Sequence, residues 1–167
     1  IGIFINGIPI VMLELKNSLT GQTHHDGIKQ WKQDRDPKEP LFRFKRNLVY
    51  FSVGNEKVSM TTRLRSDKTF FLPFNKGIDN PVNEKGFETH YLWEETLQPN
   101  CLLDLIQNFV HIRTESEKVY DPQRQKVVEK KTDVLIFPRF HQLSVVQKMK
   151  NSIVDEGVGN NYLIQHT

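Results

Sequence analysis

Apolar and polar residues follow two different periods along this chain, and together they predict a mixed α/β fold. Near the start, residues 1–5 and the almost wholly apolar run 8–16 have the character of buried strands. Asn6-Gly7, a strongly favoured two-residue hairpin turn, joins them. Similar runs predict further strands over residues 48–53, 57–62 and 68–72, and later ones over 133–137 and 162–165.

Helices are predicted over residues 26–33, 87–95, 101–110 and 138–156. In the last two, apolar residues recur at the helical period, and Pro99 and Pro138 stand near the helix start, where proline is favoured. The final helix is expected to bury Leu143, Val146, Met149 and Ile153. The charged segment 119–131 is expected to form two exposed strands or an ordered loop.

The order of these elements predicts three parts. Residues 1–96 form a strand-rich unit, residues 97–132 a helical and extended connector, and residues 133–167 the beginning of a second α/β unit. The chain begins within a predicted strand and ends two residues after another, so we expect it to be part of a longer protein.

Composition and charge narrow the class of protein. With 37% hydrophobic and 26% charged residues, the composition is that of a globular protein. The single cysteine excludes an internal disulfide framework, and no apolar run reaches the roughly 20 residues that span a bilayer. We therefore expect a cytoplasmic protein without a membrane partner. A net charge of +3 permits an anionic partner but does not require one.

The two charged residues at the end of the apolar run 8–16 carry the candidate chemistry. Side chains alternate across a strand, so Glu14 and Lys16 are predicted to emerge on one face. A carboxylate suits a hard cation such as Mg²⁺, and a nearby ammonium can orient water or stabilise charge on a phosphate. This pair is compatible with metal-dependent phosphodiester hydrolysis. A surface pair on an edge strand is the alternative for so short a pattern.

Five motifs extend this pattern across the chain. They are Asn6-Gly7-Ile8-Pro9 leading into Glu14-Leu15-Lys16-Asn17, the segment 34–42, Tyr91-Leu92-Trp93-Glu94-Glu95, the segment 137–143 and the segment 162–166. In order and spacing they resemble the R (motor and restriction) subunit of type I restriction enzymes, the HsdR family. The resemblance implies a restriction-endonuclease-like mixed sheet flanked by helices over residues 1–96, a PD-(D/E)xK nuclease domain. It implies the start of a RecA-like, superfamily 2 helicase-type ATPase domain over residues 133–167.

The resemblance also implies the roles of the nuclease residues. Glu14, the backbone carbonyl of Leu15 and an aspartate expected directly ahead of Ile1 would bind Mg²⁺, and Lys16 would be catalytic. Gln30 would be a third catalytic residue, on the helix after the hairpin. An exposed helix glutamine is an equal alternative, because Asp34 stands where many members have a tyrosine.

Other residues would bind DNA and ATP in the full-length protein. Cations near the nuclease unit could contact DNA phosphates, although about half of them could be ordinary surface residues. They are Lys29, Lys32, Arg43 and Lys45, with Arg46, Arg63 and Arg65 as further candidates. Gln142, with Arg139 or Phe140, resembles an adenine-recognising Q-motif, and a helix start with Phe140 in the core is the alternative. The chain contains no GxxxxGK[ST] loop, so it is not expected to hydrolyse ATP alone.

The function implied is that of the DNA-cleaving and translocating subunit of a restriction-modification enzyme. Its partners would be double-stranded DNA and the methyltransferase and specificity subunits, and its cofactors Mg²⁺ and, in the full-length protein, ATP. A noncatalytic scaffold that docks partner subunits and a stand-alone structure-specific nuclease of the same fold are the alternatives.

Overall fold

A five-stranded mixed sheet organises the computed structural model, which describes residues 1–123 and 125–165. Its strands are β1 (Gly2–Ile5), β2 (Ile8–Leu15), β3 (Val49–Val53), β4 (Val58–Thr61) and β5 (Leu72–Pro73), arranged in chain order across the sheet. The β2–β3 pair is parallel, and the other neighbours are antiparallel. This mixed sheet with flanking helices confirms the predicted restriction-endonuclease-like fold class.

Three α-helices and a long hairpin complete the fold. The helices are α1 (His24–Gln33), α2 (Pro99–Asn108) and α3 (Phe140–Glu156), and a short 3₁₀ helix (Ser18–Thr20) and a π-helical turn (Leu92–Thr96) precede α1 and α2. The strands β6 (His111–Asp121) and β7 (Lys126–Ile136) pair only with each other among the described residues. No helix in residues 1–123 and 125–165 has the length and apolar composition needed to cross a bilayer.

The two faces of the central sheet are covered by different hydrophobic clusters. On one face, Trp31 from α1 packs against Tyr50 and Phe42. Because side chains alternate along a strand, Phe51 points to the other face, where it joins the larger core. That core takes in residues from the sheet and from the π-helical turn, α2 and α3. Helix α1 therefore covers one face alone, and this is the face that carries Glu14.

The second half of the chain departs from several predictions. Most of residues 133–137, predicted as a strand of their own, lie in β7, opposite β6. The exposed strands predicted within 119–131 are confirmed as part of the same hairpin. Phe137 and Leu143 belong to the hydrophobic core of the five-stranded sheet. The division of the chain at residues 96 and 132 stays a prediction.

Two predictions about the end of the chain are wrong. Residues 162–165 form no strand, because no strand in the described part of the chain lies beside them to pair with their backbone. They lie against α3, where Tyr162 Oη donates to Ser152 Oγ at 3.2 Å. Of the four residues predicted to be buried by α3, Leu143 alone is buried, while Val146 and Ile153 are each 40% exposed. The first turn of α3 contacts the core, and later residues of the helix bond to α2, where Gln147 Nε2 donates to Cys101 Sγ at 3.3 Å and Lys150 Nζ to Asp104 Oδ1 at 2.9 Å.

Candidate active site

The candidate site lies at the carboxyl end of β2, on the face covered by α1. Glu14 is opposite Ser52 of β3 in the parallel ladder. The backbone N–H of Lys16 donates to the carbonyl oxygen of Val53 at 2.8 Å, which continues the ladder beyond β2. Glu14 and Lys16 therefore project from the same face, two residues apart.

Helix α1 brings Gln30 to Lys16. The Lys16 ammonium Nζ donates a hydrogen bond of 2.6 Å to Gln30 Oε1. The helix is held over the sheet by Trp31, the neighbour of Gln30, whose indole N–H donates to the carbonyl oxygen of Phe51 at 3.0 Å. The side chain of Gln30 is thus directed into the candidate site, although its catalytic role stays a prediction.

Arg35 is the site residue that the sequence reasoning missed. Its guanidinium, just beyond α1, donates through Nη2 at 2.5 Å and through Nε at 3.0 Å to a single oxygen of Glu14, Oε1. The Glu14 side chain is 16% exposed and that of Arg35 34% exposed, so solvent reaches the pair. A signal was present, since Arg35 lies in the motif at 34–42, but nothing in that motif indicates its partner.

Gly27 allows α1 to lie close to the strand that carries Ser52. A Cβ added at Gly27 would lie 2.2 Å from Ser52 Oγ and 3.5 Å from Cγ of Lys16. Ser52 Oγ in turn donates to the carbonyl oxygen of His24 at 2.5 Å, which fixes the start of α1. The absence of a side chain at Gly27 therefore sets the distance between the helix and the candidate site.

We expect Gly27→Ala to destabilise the protein by about 1–3 kcal/mol, because Ser52 Oγ must move from a packed position. In the Ser52→Ala background the hydroxyl is absent, and the nearest remaining atom at position 52 is Cβ. It lies 3.4 Å from the new methyl group, which is an ordinary contact. There the same change should be neutral or stabilising by up to about 1 kcal/mol, because alanine favours helix. Urea unfolding of the four variants measures this coupling, and additive effects would contradict it.

The cations predicted to contact DNA phosphates differ in their exposure and in whether they already bond to other groups of the protein. Lys29 is exposed and Lys32 half-buried on α1. Arg43 Nε donates to a nearby backbone carbonyl oxygen at 3.2 Å. Lys45 Nζ is paired with a carboxylate oxygen of Asp133 at 2.6 Å. A role for Arg43 or Lys45 in binding phosphate would therefore require these contacts to be exchanged.

The residues predicted to recognise adenine form the start of α3. The Oε1 of Gln142 accepts a hydrogen bond of 2.9 Å from the backbone N–H of Arg139, which caps the helix. The ring of Phe140 packs edge-on against Tyr91, with centroids 5.0 Å apart, and against Phe74 at 5.8 Å. These contacts are those of the alternative interpretation, a helix start with Phe140 packed in the core. Adenine recognition by these residues stays a prediction.

Comparison with known proteins places this site in a family. The family model described as type I restriction enzyme R protein N terminus matches residues 1–69, which contain β1 to β4, α1 and all four site residues, Glu14, Lys16, Gln30 and Arg35. Through residues 1–69, the chain belongs to the type I restriction enzyme R protein family. This confirms the resemblance seen in the sequence.

A curated relative supports the same family. The chain is 31% identical over 115 residues to a putative type I restriction enzyme MjaVIIP endonuclease subunit from Methanocaldococcus jannaschii. The alignment covers 68% of this chain and 10% of that protein, so the chain spans about a tenth of its relative. No solved structure matches this R protein chain.

The oxygen ligands in this R protein region are few, but their number is compatible with a Mg²⁺ site. Among residues 1–123 and 125–165, no group of three or more His, Cys, Asp or Glu side chains could hold a metal ion. Mg²⁺, however, commonly takes one or two carboxylates and fills its remaining positions with water and substrate phosphate. Glu14 and the backbone carbonyl of Leu15 fit that pattern, with Glu14 Oε1 shared with Arg35.

Proposed function

We propose that this chain is the nuclease part of a type I restriction enzyme R subunit, and that Glu14, Lys16 and Gln30 form part of a PD-(D/E)xK site for Mg²⁺-dependent hydrolysis of duplex DNA. The observation that carries the proposal is the geometry at the end of β2. Glu14 and Lys16 share a face there, and Lys16 Nζ lies 2.6 Å from Gln30 Oε1.

The register of the first hairpin supports a second carboxylate at this site. Ile1 and Leu13 exchange two backbone hydrogen bonds, each of 2.8 Å. In an antiparallel ladder, the next pair outward is a non-hydrogen-bonded pair, whose side chains lie closest and on one face. A residue preceding Ile1 in β1 would therefore lie opposite Glu14. An aspartate at that position, as the family resemblance implies, could share a metal ion with Glu14.

Each residue of the proposed site would have a separate role in the reaction. When bound, Mg²⁺ polarises the scissile phosphate and lowers the pKa of the attacking water. Glu14 and the carbonyl of Leu15 would hold the ion. The Lys16 ammonium would orient the water or offset negative charge as it develops on the phosphate. Gln30 would hold Lys16 in position through the hydrogen bond between them.

The wider role of the full-length protein follows from the same proposal. ATP-driven translocation would precede cleavage, with Arg139, Phe140 and Gln142 near the adenine. The methyltransferase and specificity subunits would be its partners, and the specificity subunit would select the DNA. The complex would act in the cytoplasm.

A noncatalytic scaffold is the second candidate, and the Arg35 contact is the observation that favours it. A carboxylate paired with a guanidinium already has a cation, and no group of three or more His, Cys, Asp or Glu side chains in the described part of the chain could hold a metal ion. A scaffold would use this ion pair to fasten α1 to β2. The two candidates differ in whether Glu14 binds a metal.

Titration of the full-length protein with Mn²⁺ tests this difference. We expect calorimetry to detect binding that Glu14→Gln abolishes and that Glu94→Gln, a control at an exposed carboxylate, leaves unchanged. Arg35→Gln should tighten binding by about tenfold, because a positive charge next to a bound dication costs about 1–2 kcal/mol in water. Binding that does not depend on Glu14 would favour the scaffold.

A further inference from the structure

A second cleft, of about 170 Å³, lies between the end of β4 and the β6–β7 hairpin. The cationic side chains of Arg63, Arg65 and Lys68 line it, together with Phe70, which is 74% exposed. One carboxylate, from Asp133, is also part of the lining. The cleft therefore brings together more positive than negative charge.

The carboxylates near this cleft do not neutralise the three cations. Asp133 accepts hydrogen bonds from Lys45 Nζ at 2.6 Å and from Thr114 Oγ1 at 2.8 Å, and both hold the pKa of Asp133 below its usual value. Asp67 lies in the same loop but lines the neighbouring cleft, beside Arg35. Within the described part of the chain, neither Asp133 nor Asp67 is ion-paired with Arg63, Arg65 or Lys68.

The two arginines are held near each other in spite of their charge. The Arg63 guanidinium lies 4.3 Å above the ring of Phe44. Burial lowers the pKa of Arg63, and the positive charge of Arg65 lowers it further. A guanidinium stacked on an aromatic ring keeps its N–H edge available for a planar pair of acceptor oxygens. Two positive charges held this close repel each other, which costs free energy. A bound anion would offset that repulsion.

The loop that carries Arg65 and Lys68 is fixed before any ligand binds. The backbone N–H of Lys68 donates to the carbonyl oxygen of Arg65 at 3.1 Å. Thr69, which is buried, accepts from the Arg65 N–H and donates to the Ser66 carbonyl oxygen, both at 2.7 Å. Ser66 has a φ of +50°, which closes the turn. Little ordering entropy would therefore be lost when an anion binds.

We propose that this cleft binds a phosphodiester of the DNA backbone, through Arg63, Arg65 and Lys68, as a docking point separate from the site at Glu14. The inference rests on the proposed function, in which DNA is the substrate. Arginine matches phosphate oxygens in a bidentate manner, and such contacts position DNA without reading its sequence. The exposed Phe70 ring offers a surface for the adjoining sugar or base.

Binding of a short fluorescent DNA duplex to the full chain in EDTA tests the proposal. The double variant Arg65→Gln/Lys68→Gln should weaken binding about tenfold or more and reduce the slope of log K against log salt by about 2. The matched control is Lys118→Gln/Lys130→Gln, which removes the same charge from positions opposite Glu129 and Glu117 in the hairpin. It should change both quantities much less. Arg63→Gln should weaken binding in the same direction.

The outcomes separate this inference from the proposed active site. The assay contains no metal, so its result does not depend on whether Glu14 binds Mn²⁺. An equal loss in both double variants, or a loss in neither, would overturn the docking point and leave the metal titration unaffected. Polyglutamate that displaces the duplex as effectively as unlabelled DNA would also overturn it, because the cleft would then bind acidic polypeptides.

Discussion

Glu14→Ala and Lys16→Ala are each expected to abolish cleavage of duplex DNA by the full-length protein. The first change removes the carboxylate proposed to hold Mg²⁺, and the second removes the ammonium 2.6 Å from Gln30. The loss of a group that stabilises charge in the transition state commonly costs a hundredfold or more in rate. Cleavage of supercoiled plasmid, followed on gels with Mg²⁺ and ATP, measures the effect.

Translocation is the internal control for this experiment. Both variants should retain ATP-driven movement along DNA, since the motor proposed for the full-length protein lies outside the site formed by Glu14 and Lys16. Glu94→Gln, at an exposed carboxylate, should cut at the wild-type rate. Gln30→Ala should retain part of the activity, because Gln30 acts through Lys16. Normal cutting by both Glu14→Ala and Lys16→Ala would remove these residues from the site.

Trp31→Ala is expected to have the largest effect on stability, a loss of about 3–5 kcal/mol in the free energy of unfolding. Trp31 is 1% exposed and lies edge-on to Tyr50 and Phe42, at centroid distances of 5.3 and 5.9 Å. Its removal leaves a cavity beneath α1 and removes the hydrogen bond to the carbonyl oxygen of Phe51. Urea unfolding followed by circular dichroism measures the loss.

Two further variants separate packing from hydrogen bonding. Trp31→Phe keeps an aromatic ring but loses the donor to Phe51, so it should cost about 1–3 kcal/mol. Trp93→Ala removes the other tryptophan, which is 41% exposed, and should cost about 1 kcal/mol or less. Similar losses at Trp31 and Trp93 would contradict the role of Trp31 as the anchor of α1.

Local signals explain why the first hairpin and α1 could be predicted closely. The apolar run predicted as a strand over 8–16 is β2, Ile8–Leu15, and its Asn6-Gly7 turn joins it to β1. Helix α1 begins two residues before its predicted start. A capping box accounts for this, because Thr23 N–H donates to Asp26 Oδ2 at 2.7 Å and Thr23 Oγ1 accepts from His25 N–H.

Contacts between distant parts of the chain explain what the sequence did not show. Arg35 reaches back across 21 positions to Glu14, and the position of that guanidinium depends on how α1 lies on the sheet. Residues 133–137 have the composition of a core strand, yet most of them pair in the hairpin. Strand propensity alone does not say which neighbour a strand will take.

The paired strands β6 and β7 have a further consequence for the behaviour of the protein in solution. Each contributes eleven residues, and neither pairs with the five-stranded sheet in the described part of the chain. This leaves two free edges, onto which another polypeptide could add a strand. Cross-strand pairs such as Glu117 with Lys130 and Lys118 with Glu129 place charge along both edges. Desolvating that charge makes intermolecular strand addition costly, and so guards the protein against aggregation.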